Sequence, residues 1–303
     1  STSDGDNRDF RDVFLGFYNK TNNPEVIFYR PGGEDKSIES NNGPLGFSGD
    51  NLGKGRTLPT QNLVDAFPMK DGMFAGQGSK YTLNQSNPYE NRDPRLDYTI
   101  LHHGSSWLNN TLDISIGGVN NPSNSAEYSK TGYYMCKFMG KFGEESQYGN
   151  KIHLWVMFRY AEMLLNYAEA VYERDDKISN TDLNISLNLV RLRVNPAMTP
   201  LTNELITQNA GMDMRTEIRR ERTIELFNEG FRLDDLKRWK TAETEMPMDI
   251  VGIQWKGTEY EKVWANCPYE TNAEGCIIIE KGRKWEEKNY LFPLPSDQLQ
   301  LNP

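Results

Sequence analysis

A mainly helical protein is predicted, in which helical hairpins sit beside a large loop-rich region carrying a few short strands. Two observations predict it. Residues 1–150 are rich in Gly, Asn, Ser and Pro, and their short apolar patches are separated by turn signals. From Lys151 to about residue 240, apolar residues recur at helical spacing. The chain therefore divides into a loop-rich, ligand-presenting region, 1–150, and a helical region, 151–303, expected to pack as one unit.

In the first region Val26-Ile27-Phe28-Tyr29 reads as a short strand, followed by turns at Pro31-Gly32-Gly33 and Asn41-Asn42-Gly43-Pro44. In the second, Met157, Ala161, Leu164, Ala168 and Val171 alternate steps of four and three, while Arg159, Glu162, Asn166 and Glu169 fall on another face. That spacing predicts an amphipathic helix. After a short polar linker, Leu183, Leu187, Val190 and Val194 predict a second helix, ended by Pro196 and packed antiparallel to the first. A third runs from Asp213 to Glu229, with Gly230 at its carboxy-terminal cap. A fourth, Asp234 to Lys240, carries Leu236 and Trp239. Trp155 and Trp239 are both expected in the core. Tyr290-Leu291-Phe292-Pro293-Leu294-Pro295 is extended, and Ser296 caps a last helical turn.

At 303 residues the chain can bury a sizeable core. A net charge of -9 and the lack of any isolated Lys/Arg cluster argue against nucleic acid as a partner. No apolar run is long enough to cross a bilayer. The cysteines, Cys136, Cys267 and Cys276, form no C-x-x-C pair. Cys267 and Cys276 either close a short loop or stay thiols.

Motifs for chemistry are weak. His102 and His103 point apart in extended chain, and His153 is the only other histidine, so no metal is expected. Gly49 to Gly55 lacks the spacing and the Ser/Thr of a phosphate loop, and Ser48 lacks a nucleophile elbow's second glycine. The acids Asp4, Asp6 and Asp9, and the pair Asp175-Asp176, lack the calcium-loop pattern. No cofactor is expected. Glu221 and Glu225 lie four apart, but neighbouring arginines hold both ionised, which suits a scaffold and not a general acid. Ion pairs are expected at Glu217–Arg220 and Arg222–Glu225.

Several segments together resemble the SusD/RagB family. Arg159 to Ala170 resembles its R-x-A-E-x-x-L-x-x-A-E-A helix, and Leu187 to Arg193 its L-N-x-V-R-x-R segment, with Val194-Asn195 in place of the usual Ala. Ile218 to Arg232, then Asp235-Leu236-Lys237-Arg238-Trp239, is similar to I-x-x-E-R-x-x-E-L-x-x-E-G-x-R and D-L-x-R-W. Pro59 to Phe67, Asn91-Arg92-Asp93-Pro94-Arg95 and the ending Leu291 to Pro303 are further landmarks. The matches are collinear and correspond to the carboxy-terminal half of a usual member.

The resemblance implies tetratricopeptide-like helical packing and glycan binding without catalysis. It also implies a place on the outer-membrane surface of a Gram-negative bacterium, through a lipid anchor outside this chain, and delivery to a SusC-type TonB-dependent transporter. Sugar recognition needs an exposed ring against the pyranose C–H face and amides for its hydroxyls. Trp107, flanked by small residues and by Asn109 and Asn110, fits that requirement, as do Tyr81 and Tyr89 in the preceding polar stretch. Trp255, Tyr260 and Trp264 form a second aromatic group. The rival readings are a glycoside hydrolase, which needs paired carboxylates at a cleft, and a partner-docking protein with no small ligand.

Overall fold

In a computed structural model the described residues are 10, 13–15, 24–47, 49–115, 117–120, 130–262 and 269–301. Cys267, Trp264, the Tyr260 side chain, Ser48 and the acids Asp4, Asp6 and Asp9 lie outside them.

The first region contributes strand β1 (Val26–Asp35), the short helices α1 (Ser37–Asn42), α2 (Gln61–Ala66) and α3 (Arg95–Thr99), and the two-residue strands β2 (Ile100–Leu101), β3 (Ser106–Trp107), β4 (Asn110–Thr111) and β5 (Tyr134–Met135). Then come β6 (Lys151–Arg159) and helices α4 (Tyr160–Asp175), α5 (Asn180–Asn184), α6 (Leu187–Val194), α7 (Asn203–Gln208), α8 (Met214–Glu225), α9 (Arg232–Arg238) and α10 (Ala242–Glu245). Strands β7 (Ile250–Gln254) and β8 (Cys276–Glu280) and helix α11 (Ser296–Leu301) complete the order. Among the described residues these strands pair antiparallel in two-stranded ribbons: β1–β6, β2–β5, β3–β4 and β7–β8.

The helical face read from sequence is the packed one. Ala161, Leu164 and Ala168 of α4 meet Leu183, Leu187 and Val190, together with Met214 and Ile218 of α8, in one cluster. Four boundaries differ. Met157 and Arg159 lie on β6, because Lys151–Arg159 is rich in β-branched and aromatic residues that pair along β1. The second helix breaks between Asn184 and Leu187, where Ser186 is buried and turns its hydroxyl onto the Asp182 carbonyl. The third helix, capped by Asp213, stops at Glu225, and the chain turns through Asn228 and Gly230, both at positive φ. Pro31-Gly32-Gly33 is a bulged stretch inside β1 and not its end; a Cβ on Gly32 would lie 2.6 Å from the His153 carbonyl oxygen.

There are two further apolar clusters, and the first joins the regions. One unites Leu63, Val64, Phe67, Leu96 and Tyr133 with Ile224, Ile253, Trp255 and Ile277. The other, wholly within the loop-rich part, gathers Trp107, Leu112, Tyr134, Met139, Phe142 and Tyr148.

Between them runs a buried ionic network centred on α8. Arg95 reaches Asp93 at 2.7 Å, Glu221 at 2.6 Å and Glu225 at 3.0 Å, with its own side chain fully enclosed. Arg159 meets Glu225, Glu229 and Glu25 at 2.7, 2.7 and 2.9 Å. Arg193 adds a contact to Glu225 at 2.8 Å, and Lys137 bonds Glu229 at 2.6 Å together with the carbonyls of Glu225 and Phe227. Burial works against the charge on Glu225, but Arg193, Arg159 and Arg95 overcome it and hold the carboxyl well below its ordinary range. Burial pushes Lys137 down to about 8 despite the pull of Glu229. The expected Glu217–Arg220 pair is present at 2.6 Å. Arg222 instead pairs with Asp235, at 2.8 Å, because Glu225 points into the network and α9 packs alongside.

Removing one member of such a set strands its partners in low dielectric, at a cost of about 3–5 kcal/mol. Arg95→Met should lower the urea midpoint accordingly, whereas Arg174→Ala, in a surface pair with Asp175, should leave it in place. An unchanged midpoint in Arg95→Met would contradict the network's role. Because Glu225 and Glu229 are held below the 4.5 of an unperturbed glutamate, their stabilisation is present above that value and lost progressively as pH falls from it through their lower folded values. Glu217 and Asp65, raised by burial, pull the other way nearer their ordinary values. Urea unfolding followed from pH 6 to pH 3 should show stability falling below about pH 4.5, and a flat profile would refute the assignment.

Candidate functional site

The segment singled out for ligand contact is a hairpin, β3–β4, whose two-residue turn Leu108-Asn109 has positive φ at both positions, 52° and 55°. That is the turn whose twist suits a tight hairpin, and Asn tolerates it well. Leu108 is held there by burial and by its N–H, which donates to the Phe142 carbonyl at 2.6 Å.

The turn leaves Asn109 exposed and drives Trp107 inward. Trp107 is 1% exposed, its Nε1–H donates to the Tyr148 hydroxyl at 3.0 Å, and Phe142 and Tyr148 meet its ring edge-on. Burial pushes the Tyr148 hydroxyl up to about 12, so it stays protonated. Tyr89 is 6% exposed and stacks on His102 with ring centroids 3.7 Å apart, its hydroxyl 3.3 Å from that of Tyr133. The expectation of open stacking rings at Trp107 and Tyr89 is thus corrected, since both faces are taken up by protein. Tyr81 is half-buried in another loop, which is tied down where Ser79 and the Lys80 N–H donate to the Asp71 carboxylate.

Over Trp107 lies a hollow of about 300 Å³, walled by Asp97, His102, Ser105, Ser106 and Gly143. The ring nitrogens of His102 face the His103 carbonyl at 2.8 Å and the Asp97 carboxylate at 3.0 Å. Asn109 reaches the rim, its N–H donating to the Gly143 carbonyl. The hollow offers hydroxyl, carboxylate and backbone groups on a rigid aromatic floor. That suits hydrogen bonding to a polyol, without an open ring for it to lie against.

Among the other aromatic residues, Trp255 is buried in the core and Trp239 is half-buried with its Nε1–H on Glu169. Trp155, expected in the core of a helix, is 66% exposed on β6. The signal that could have found it is the run Ile152 to Phe158, whose residue types favour a strand over a helix. Among the described residues there is no cluster of His, Cys, Asp or Glu able to hold a metal, and no helix long and apolar enough to cross a membrane. Cys136 and Cys276 are buried. Glu221 and Glu225 lie inside the ionic network, where neither faces a cleft.

Over residues 24–303 the sequence matches the model of the SusD family, and the chain belongs to that family. Among solved structures it is similar to a SusD-like carbohydrate binding protein from Bacteroides fragilis, at 24% identity and a TM-score of 0.73 over 96% of this chain and 56% of that one. A SusD-like protein from the same species aligns at 27% identity and a TM-score of 0.71, over 96% and 55%. Surface glycan-binding protein A from Bacteroides fluxus aligns at 20% identity and 0.51, over 96% and 50%. The chain spans about half the length of these structures. No curated protein matches the sequence.

Truncating Trp107 tests its structural role. Trp107→Ala should cost about 3–5 kcal/mol in urea unfolding, as for a large buried aromatic. Asn109→Gly, at a left-handed turn position, should stay within about 0.5 kcal/mol of the parent. A stable Trp107→Ala protein would show that the ring is not a core element.

Proposed function

We propose that this chain belongs to a non-catalytic glycan-capturing protein. In this reading it acts at the outer-membrane surface, is held there by a lipid anchor outside the chain, and passes its ligand to a SusC-type TonB-dependent transporter. The observation that carries the reading is family membership over residues 24–303. Two solved relatives, a carbohydrate binding protein and a surface glycan-binding protein, support the ligand class.

The hollow over Trp107 is the proposed contact for glycan hydroxyls: Ser106 is exposed at its edge, Asn109 is exposed at the tip of the same hairpin, Tyr81 stands on another loop, and Trp107 and Tyr89 act from beneath by fixing the loops. The Glu221–Glu225 pair does not support hydrolysis, since a general acid needs a raised pKa at an open cleft, and Glu225 is buried and held ionised. On α4, the exposed row Tyr160, Met163 and Tyr167 supports protein contact on that side, through further tetratricopeptide-like helices or a partner.

Calorimetry of the 303-residue chain against host and plant polysaccharides should give weak binding, with a Kd on the order of 0.1–1 mM. Asn109→Ala combined with Ser106→Ala should weaken it roughly threefold to tenfold. New reducing ends during incubation, or no heat with any glycan, would sink the proposal.

A further inference from the structure

The hollow over Trp107 lacks an open ring, but one stands elsewhere. A trough of about 600 Å³ runs along the β1–β6 ribbon, and Trp155 forms part of its wall. The register places Arg30 directly across from Trp155, and both side chains are exposed. Two residues before Trp155, His153 is nine-tenths buried in the same wall. Its Nε2 lies 3.0 Å from Glu39 Oε1; a carboxylate can only accept, so Nε2 carries the hydrogen. Nδ1, the other ring nitrogen, has no partner. Asn42, Asn228 and Thr57 add amide and hydroxyl groups, and the mouth is open at Gly33, where a Cβ would meet nothing within 4 Å.

The charge around this trough runs against that of the chain. In a protein of net charge -9 the trough lining contains no carboxylate. Arg30, and Arg56 beside the lining residue Thr57, have no ion-pair partner among the described residues. Glu39 lies behind the wall, bonded to His153 and to the Gly140 N–H. Glu34 and Asp35 pair opposite Ile152 and Lys151, outside the lining, with Asp35 near enough to His153 to feel its charge. An exposed indole next to an unpaired guanidinium fits a pyranose that carries an anionic group: the ring stacks, and the guanidinium takes the anion through paired N–H donors.

We propose that the β1–β6 trough binds an acidic saccharide, a pyranose bearing carboxylate or sulfate, stacked on Trp155 with its anion on Arg30. This rests on the glycan reading above and names a ligand class for it. Calorimetry should compare oligogalacturonides with their carboxyl-reduced forms, and chondroitin sulfate with its desulfated form, using the 303-residue chain. At least one acidic ligand is expected to bind more tightly than its neutralised counterpart, and the pair that differs identifies the anion. Trp155→Ala should weaken that binding about tenfold, and Arg30→Gln should abolish the preference for the acidic form. Both positions are exposed, so both variants should melt with the parent. Equal affinity within each pair, or variants that bind like the parent, would overturn the acidic site and leave glycan capture standing. No heat with these ligands or with the wider panel would remove both.

Discussion

Glu225 occupies the point on which the two regions converge. Its carboxylate receives Arg95 from the loop-rich part, Arg159 from the end of β6 and Arg193 from the end of α6, so three remote segments are positioned by one buried group. Charges buried this way add little net stability over an apolar core, but they are intolerant of misplacement, because any shift leaves one uncompensated. The network therefore sets the register of the loops against the helices. The apolar clusters on either side contribute the bulk of the burial.

That division of labour explains what was legible in the sequence. Helix faces built from repeated apolar residues, such as Leu183, Leu187, Val190 and Val194, could be read locally because their period reports the side on which they pack. The end of α8 could not. It stops at Glu225 so that Lys137, some ninety residues earlier, can take the carbonyls of Glu225 and Phe227, and no local pattern announces a partner at that distance. The boundary at β6 was obscured differently: the strand passes into α4 at Tyr160 without a turn, so Met157 fell by chance on the helical spacing.

The candidate site was legible in chemistry and not in exposure. The hairpin 106–111, with Asn109 at its tip, lies where small and amide residues suggested a loop open to ligand. Whether a tryptophan in such a loop faces out depends on what waits beneath it, here Phe142 and Tyr148. Trp155 shows the converse. Strand periodicity assigns it a face, yet only the three-dimensional arrangement leaves that face uncovered beside Arg30.

The same ionic centre bears on the time course of folding. The bonds from Arg95 to Glu221 and Glu225 close loops of 126 and 130 residues, so the entropy of closure is lost before any of their attraction is realised. A half-assembled centre is worse than none, which depopulates partly folded forms and raises the barrier in both directions. Once formed, the same centre disfavours partial opening, because any one group that leaves strands the others.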